Sequence, residues 1–249
     1  MSKVAIVTGG TSGIGLAAVK ALREKGCTVY ALSRRGEIPC DVSNENSARA
    51  AVQTVLEKER RIDILVNCAG FGISGAGELT PLEAAKKQLD VNLYGTANMV
   101  NVVIPAMRQQ GGGRIVNTGS VAGFVPIPFQ TWYSASKAAV QSYTMAMGNE
   151  LSPFGITLTA VLPGDTKTGF TAARSKIDDP ENLYGGRIER SVARMEHDEQ
   201  NGVYVNTVLP PAAPADGCML RTSLMATHTE ALLDEAADVL QRVLEAHHE

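Results

Sequence analysis

The strongest constraint on the fold is an alternation that runs through most of the chain. Short apolar runs take turns with longer segments whose apolar residues recur at helical spacing. Val4–Thr8, Thr28–Ser33, Ile64–Asn67, Arg114–Ser120 and Thr157–Leu162 are rich in Val, Ile and Leu, as strands buried on both faces are. Between them Ile14–Lys25, Ser43–Arg60, Pro81–Gln109 and Ser134–Ser152 read as helices. Gly26, Gly111-Gly112-Gly113 and Gly155 follow three of these, where a helix stop needs a residue tolerant of positive φ. Such alternation predicts an α/β fold built on a doubly wound parallel sheet. The 249 residues suffice for one large domain, and no repeat or low-complexity linker interrupts residues 1–200.

One connection departs from the pattern. Between Arg35 and Asp41 lie only Gly36-Glu37-Ile38-Pro39-Cys40, too few for a crossover helix, so an extended link is expected. Residues 165–200 are polar and charged, with Gly185-Gly186, and read as a mobile lid that ends in a helix. A formal charge of −3 without a Lys/Arg cluster gives no reason to expect nucleic acid. No apolar run reaches the length of a membrane span. The opening Met1-Ser2-Lys3 runs directly into the first strand, too short for a secretory signal, so a cytoplasmic protein is expected. Cys27, Cys40, Cys68 and Cys218 form no CxxC pair and the four histidines sit in the polar C-terminal third, so no metal is expected.

Thr8-Gly9-Gly10-Thr11-Ser12-Gly13-Ile14-Gly15 joins the first strand to the first helix. Glycines here let the backbone turn tightly and approach a pyrophosphate held at a helix N-terminus, the arrangement of a Rossmann-type sheet. The spacing Gly-x3-Gly-x-Gly differs from the G-x-G-x-x-G form. An acidic residue ending the second strand would hold a ribose 2′-hydroxyl and indicate NAD. That place is taken by Ser33, followed by Arg34 and Arg35, whose guanidinium forks suit a 2′-phosphate, so NADP(H) is expected over NAD(H). Asp41 and Val42 are candidates to flank the adenine.

Tyr133 and Lys137 stand four residues apart, on one face of a helix. A phenol with a pKa near 10 is a poor base at neutral pH, and a neighbouring ammonium favours its phenolate. Ser120 closes an apolar strand, where parallel sheets present functional groups at the carboxyl edge, and its hydroxyl is placed to hold a substrate oxygen.

Taken in order, Thr8-Gly9-x3-Gly13-Ile14-Gly15, Asn67-Cys68-Ala69-Gly70, Asn92, Ser120, Tyr133-x3-Lys137 and Pro163-Gly164 resemble the short-chain dehydrogenase/reductase family, over about residues 3–200. The resemblance implies a first domain over 1–201 that binds a nicotinamide cofactor through Gly9, Thr11, Ser12, Gly13, Ile14, Gly15, Ser33, Arg34, Arg35, Asp41, Val42, Asn67, Ala69 and Gly70. It implies that Asn92 holds a water in a proton relay and Ser120 orients a carbonyl. Tyr133 would donate the proton, while Lys137 binds the nicotinamide ribose and lowers the tyrosine pKa. Pro163, Gly164 and Thr166 or Thr168 would contact the carboxamide. The activity implied is interconversion of a small-molecule carbonyl and a secondary alcohol, in a homodimer or homotetramer built on the long helices at 81–109 and 134–152.

Val121-Ala122-Gly123-Phe124-Val125-Pro126-Ile127-Pro128-Phe129 with Trp132 either lines a pocket for an apolar substrate or packs the core or a subunit interface. Two other classes compete: an NADP-binding regulatory or scaffold protein without turnover, and a pyridoxal-phosphate enzyme. The second arises from the tail. Residues 202–249 lack the family's usual ending, and Gly202–Pro214 with Cys218–Thr229 resembles the C-terminal end of the α-oxoamine synthases. That family's large domain and Schiff-base lysine have no counterpart here. A fused tail or a diverged ending is expected to form strand, strand and helix, with one strand at the sheet edge and the helix over Thr229–Ala246.

Overall fold

The structure is a computed structural model that describes residues 2–201 and the two short strands 205–208 and 219–222. β1 (Val4–Thr8) leads into α1 (Gly13–Glu24), β2 (Thr28–Ser33), β3 (Ile38–Pro39) and α2 (Glu45–Glu59). β4 (Ile64–Asn67), β5 (Ile73–Ser74) and α3 (Leu82–Leu89) follow, then α4 (Gly95–Gln109), β6 (Gly113–Thr118) and α5 (Thr131–Leu151). β7 (Ile156–Val161), β8 (Ser175–Lys176), α6 (Arg187–Asn201), β9 (Val205–Val208) and β10 (Met219–Thr222) complete the order.

Six strands form one sheet in the order β3-β2-β1-β4-β6-β7, all pairs parallel. Every residue of β1 is buried, as a central strand covered by helices on both faces must be. Its side chains alternate between two cores. Val4 and Ile6 meet Val52 of α2 and Met99 and Val103 of α4, while Ala5 and Val7 meet Val19 of α1. The chain crosses from one side of β1 to the other, and at that switch point the carboxyl ends of β1 and β4 open a crevice. Among the described residues no helix is long and apolar enough to cross a membrane.

The doubly wound parallel sheet expected from the alternation is what the structure shows, and three details differ. The extended link after β2 becomes β3, paired in parallel with Leu32 and Ser33. The long segment 81–109 is two helices joined by a π-helical turn, Asp90–Tyr94, which carries Asn92. β6 ends at Thr118, so Ser120 stands beyond the strand and caps a 3₁₀ turn, Val121–Gly123.

In the tail, β9 and β10 are the two expected strands, but they pair antiparallel with each other, and among the described residues the large sheet ends at β7. A tail strand at the sheet edge is therefore not what these strands form. Antiparallel partners satisfy each other's backbone groups across a short connection, without recruiting a sheet. The expected helix over 229–246 lies outside the described residues.

Candidate active site

Beneath the crevice a ladder of buried polar groups ties the strand ends together. Parallel register sets Thr8, Asn67 and Asn117 side by side. Thr8 Oγ1 donates to Asn67 Oδ1 (3.4 Å), Asn67 Nδ2 to Asn117 Oδ1 (2.9 Å), and Asn117 Nδ2 to Thr144 Oγ1 on α5 (2.9 Å). Thr8 Oγ1 also accepts from the amides of Cys68 and Ala69, which fixes the turn after β4. Asn67 thus holds the floor of the site instead of lining it.

Above this floor lies a cavity of about 360 Å³ lined from six stretches of chain. The glycine turn contributes Gly9, Ser12, Gly13, Ile14 and Gly15; the β4 turn Ala69 and Gly70; the far wall Ser120, Tyr133 and Lys137; the roof Pro163, Gly164, Thr166 and Thr168. At Gly15 a β-carbon would stand 2.3 Å from the Gly9 carbonyl oxygen, so only glycine lets α1 start this close to the turn. Ser12 caps α1 without a side-chain hydrogen bond, so the N–H groups of the first turn depend on another acceptor.

α5 brings the reactive groups to the far wall. Lys137 is buried and gives its ammonium to the Thr118 carbonyl at 2.7 Å, with Nζ 5.8 Å from the centre of the Tyr133 ring. Burial drives its pKa from 10.5 down to about 8, opposed by the Cys68 thiol. Burial raises the Tyr133 phenol, against a lowering hydrogen bond with Ser120 and the nearby Arg174 guanidinium. Ser120 is thus the first group that favours the phenolate, while the Lys137 ammonium is held at the Thr118 carbonyl beside the ring. Ser120 Oγ also accepts from the Ala122 amide (3.1 Å), which orients the hydroxyl.

Asn92 is buried behind this wall. Its Nδ2 donates to the Phe71 carbonyl (3.1 Å) and Ser136 Oγ (3.0 Å), and its Oδ1 accepts from the Phe71 amide (3.1 Å). Both amide hydrogens are committed, so Asn92 braces the Gly70–Phe71 turn. A β-carbon on Gly70 would lie 3.1 Å from Asn92 Oδ1 and 3.8 Å from Lys137 Nζ, so glycine leaves that approach open.

The adenosine-side candidates fall outside the cavity. Arg34 and Arg35 are exposed just past β2, and neither makes an ion pair or hydrogen bond among the described residues. Ser33 ends that strand, and the Gly10 amide donates to the adjacent Leu32 carbonyl (3.4 Å), so the glycine turn and the arginines share one edge. Thr11 is exposed at the turn. Asp41 is exposed and its Oδ1 accepts from the Ser43 amide and hydroxyl, while the Val42 side chain is buried.

Of the apolar segment, Val121, Ala122 and Ile127 line the cavity, whereas Phe124 and Val125 are exposed and Phe129 packs on Tyr184. The sequence reading missed Asp165, Phe170, Arg174, Met195 and Glu199, all of which line the cavity. One signal pointed to α6: Ile188, Val192, Met195 and Glu199 recur at helical spacing, and three of them are apolar.

A crevice with a glycine turn, a buried lysine and a serine–tyrosine pair defines a nucleotide-dependent oxidoreductase class. The family model for short chain dehydrogenase matches residues 3–179, and the chain belongs to that family. Its members bind nicotinamide cofactors, act on small-molecule substrates and are typically oligomeric. The chain is 37% identical over 212 residues to the 3-ketodihydrosphingosine reductase of Bacteroides thetaiotaomicron, covering 81% of this chain and 79% of that protein. It is similar in structure to the 3-ketoacyl-(acyl-carrier-protein) reductase of Brucella melitensis complexed with NADH, with TM-score 0.66, 26% identity, and coverage of 76% and 92%. A structure of ElxO with NADP bound matches with TM-score 0.65 and 27% identity, covering 68% of this chain and 75% of that one.

Proposed function

We propose that this enzyme interconverts a carbonyl and a secondary alcohol on a largely apolar substrate, with NADP(H) as the preferred cofactor and Tyr133 as general acid and base. The observation that carries this reading is the convergence of Ser120, Tyr133 and Lys137 on one cavity with the glycine turn. The uncapped start of α1, the glycine-only approach at Gly15 and the unpaired Arg34 and Arg35 fit a dinucleotide with a 2′-phosphate. When bound, that cofactor supplies or accepts the hydride. Ser120 holds the substrate oxygen, and Tyr133 protonates it during reduction and takes the proton back during oxidation. Lys137, desolvated beside the ring, anchors the ribose end, and its ammonium favours the phenolate form of Tyr133 during proton transfer.

The named relative from Bacteroides and the α-oxoamine synthase-like tail both favour a long-chain α-amino ketone as substrate. The tail, 202–249, is read as a unit appended to the catalytic domain 1–201. Homo-oligomerisation through the segments 81–109 (α3 and α4) and 134–152 (α5) follows from the family, and light scattering on the pure protein tests it. The activity is tested by a carbonyl panel with NADPH and NADH, followed by nicotinamide absorbance. Cofactor binding without oxidation of either cofactor on any carbonyl would favour a regulatory protein instead.

A further inference from the structure

The wall of the cavity beside Tyr133 carries three charged groups that the proton-transfer chemistry does not use. Arg174 and Glu199 are only 6% and 8% exposed, and they form an ion pair with each other. Glu199 also accepts from the Thr171 hydroxyl. Half-buried Asp165 makes no hydrogen bond among the described residues and lines the same cavity. Two buried nitrogens of Arg174, Nε and Nη1, have no partner among the described residues. Burying a guanidinium with two idle donors is costly unless something completes its shell.

The position of these groups limits what that something is. The Phe170 ring lies 5.7 Å from the Tyr133 ring and 5.6 Å from the Arg174 guanidinium, so one ring neighbours both the proton donor and the ion pair. The charges of Arg174, Glu199 and Asp165 all act on the Tyr133 phenol. A substrate group held here is therefore attached close to the reacting carbonyl. Around Asp165 the carboxylates of Glu199 and Asp198 outnumber the Arg174 guanidinium, and the cavity's other cation, Lys137, is held at the Thr118 carbonyl, so this wall disfavours a carboxylate or phosphate and favours an ammonium. Burial and the like charges of Glu199 and Asp198 push the Asp165 pKa up, a strain that an arriving cation relieves. The idle guanidinium donors, in turn, call for a neutral oxygen.

We propose that Asp165, Arg174 and Glu199 form a specificity-determining subsite for a head group bearing an ammonium and a hydroxyl next to the ketone. Asp165 and Glu199 take the ammonium, and Arg174 donates to the hydroxyl oxygen. The subsite rests on the ketoreductase reading for its neighbour Tyr133, but it is a separate claim about binding.

The test uses the full chain with NADPH and three medium-chain ketones of equal length: one with 2-amino and 1-hydroxy groups, one without the amine, and one with a carboxylate in its place. The amino ketone is expected to lead in kcat/KM by about tenfold or more, the scale of one hydrogen bond to a charged group, expressed in KM more than in kcat. Asp165→Asn and Glu199→Gln are each expected to erase most of that lead, with unchanged melting showing that the variant is folded. A second readout is calorimetric binding of a 2-amino-1,3-diol against the deaminated 1,3-diol. Equal kcat/KM for the three ketones, or a lead for the carboxylate, overturns the subsite and leaves the ketoreductase reading standing. Should no carbonyl be reduced at all, the ketoreductase reading falls, and equal affinity for the two diols then overturns the subsite as well.

Discussion

Lys137→Met is expected to trade catalysis for stability, with a size that depends on pH. The wild-type ammonium is buried and its pKa is pushed from 10.5 to about 8. At about 1.4 kcal/mol per pH unit, the cost of keeping it charged in the folded protein is about 3 kcal/mol. The folded-state pKa lies below the unfolded one, so between them the unfolded chain binds more protons and stability rises with pH. Below about pH 8 both states are protonated and the full cost is present; above about 10.5 both are neutral and it is gone. Methionine keeps the straight stem without the charge, but it leaves the Thr118 carbonyl without its 2.7 Å donor, a loss that is nearly independent of pH. The gap in stability between variant and wild type should therefore move in favour of wild type by about 3 kcal/mol from pH 7 to pH 10.5. For a chain of this size that is a change of roughly 6–12 °C in the difference of melting temperatures. Thermal unfolding of both cofactor-free proteins across that range is the assay. Parallel pH profiles would refute burial of the ammonium as the cause.

Tyr133→Phe removes the proton donor and should lower kcat by about 10²–10⁴-fold while NADPH still binds, as read by fluorescence titration. Retention of more than about a tenth of kcat would contradict its role as general acid. Arg34→Ala should weaken NADPH by roughly tenfold or more, the scale of hydrogen bonds to a charged group, and NADH much less. Equal losses for both cofactors would assign Arg34 to the solvated surface. Gly15→Ala drives a β-carbon to 2.3 Å from the Gly9 oxygen, so the turn must open. Overpacking of this kind costs about 1–3 kcal/mol, and NADPH affinity should fall together with melting temperature. Wild-type values for both would mean that the turn yields freely.

What the sequence by itself determined is what depends on neighbours along the chain. Strand identity follows from short continuous apolar runs and helix identity from a 3.6-residue periodicity, so β1, β2 and β4 lie where their apolar runs lie. Glycine at positions 9, 13 and 15 announces a close backbone turn, and the four-residue step from Tyr133 to Lys137 puts both on one helical face. Where each side chain spends its hydrogen bonds was decided only in three dimensions. Asn67 joins a ladder with Thr8, Asn117 and Thr144, residues far apart in sequence that parallel register and helix packing bring together. Lys137 turns to the Thr118 carbonyl, and Asn92 is committed to Phe71 and Ser136. Arg174 and Glu199 come from a polar stretch whose charges look solvated in the sequence, because nothing local distinguishes an exposed charge from a buried one. Only the packing of α6 over the cavity, through Met195 and its apolar neighbours, removes water from that pair and makes it part of the site.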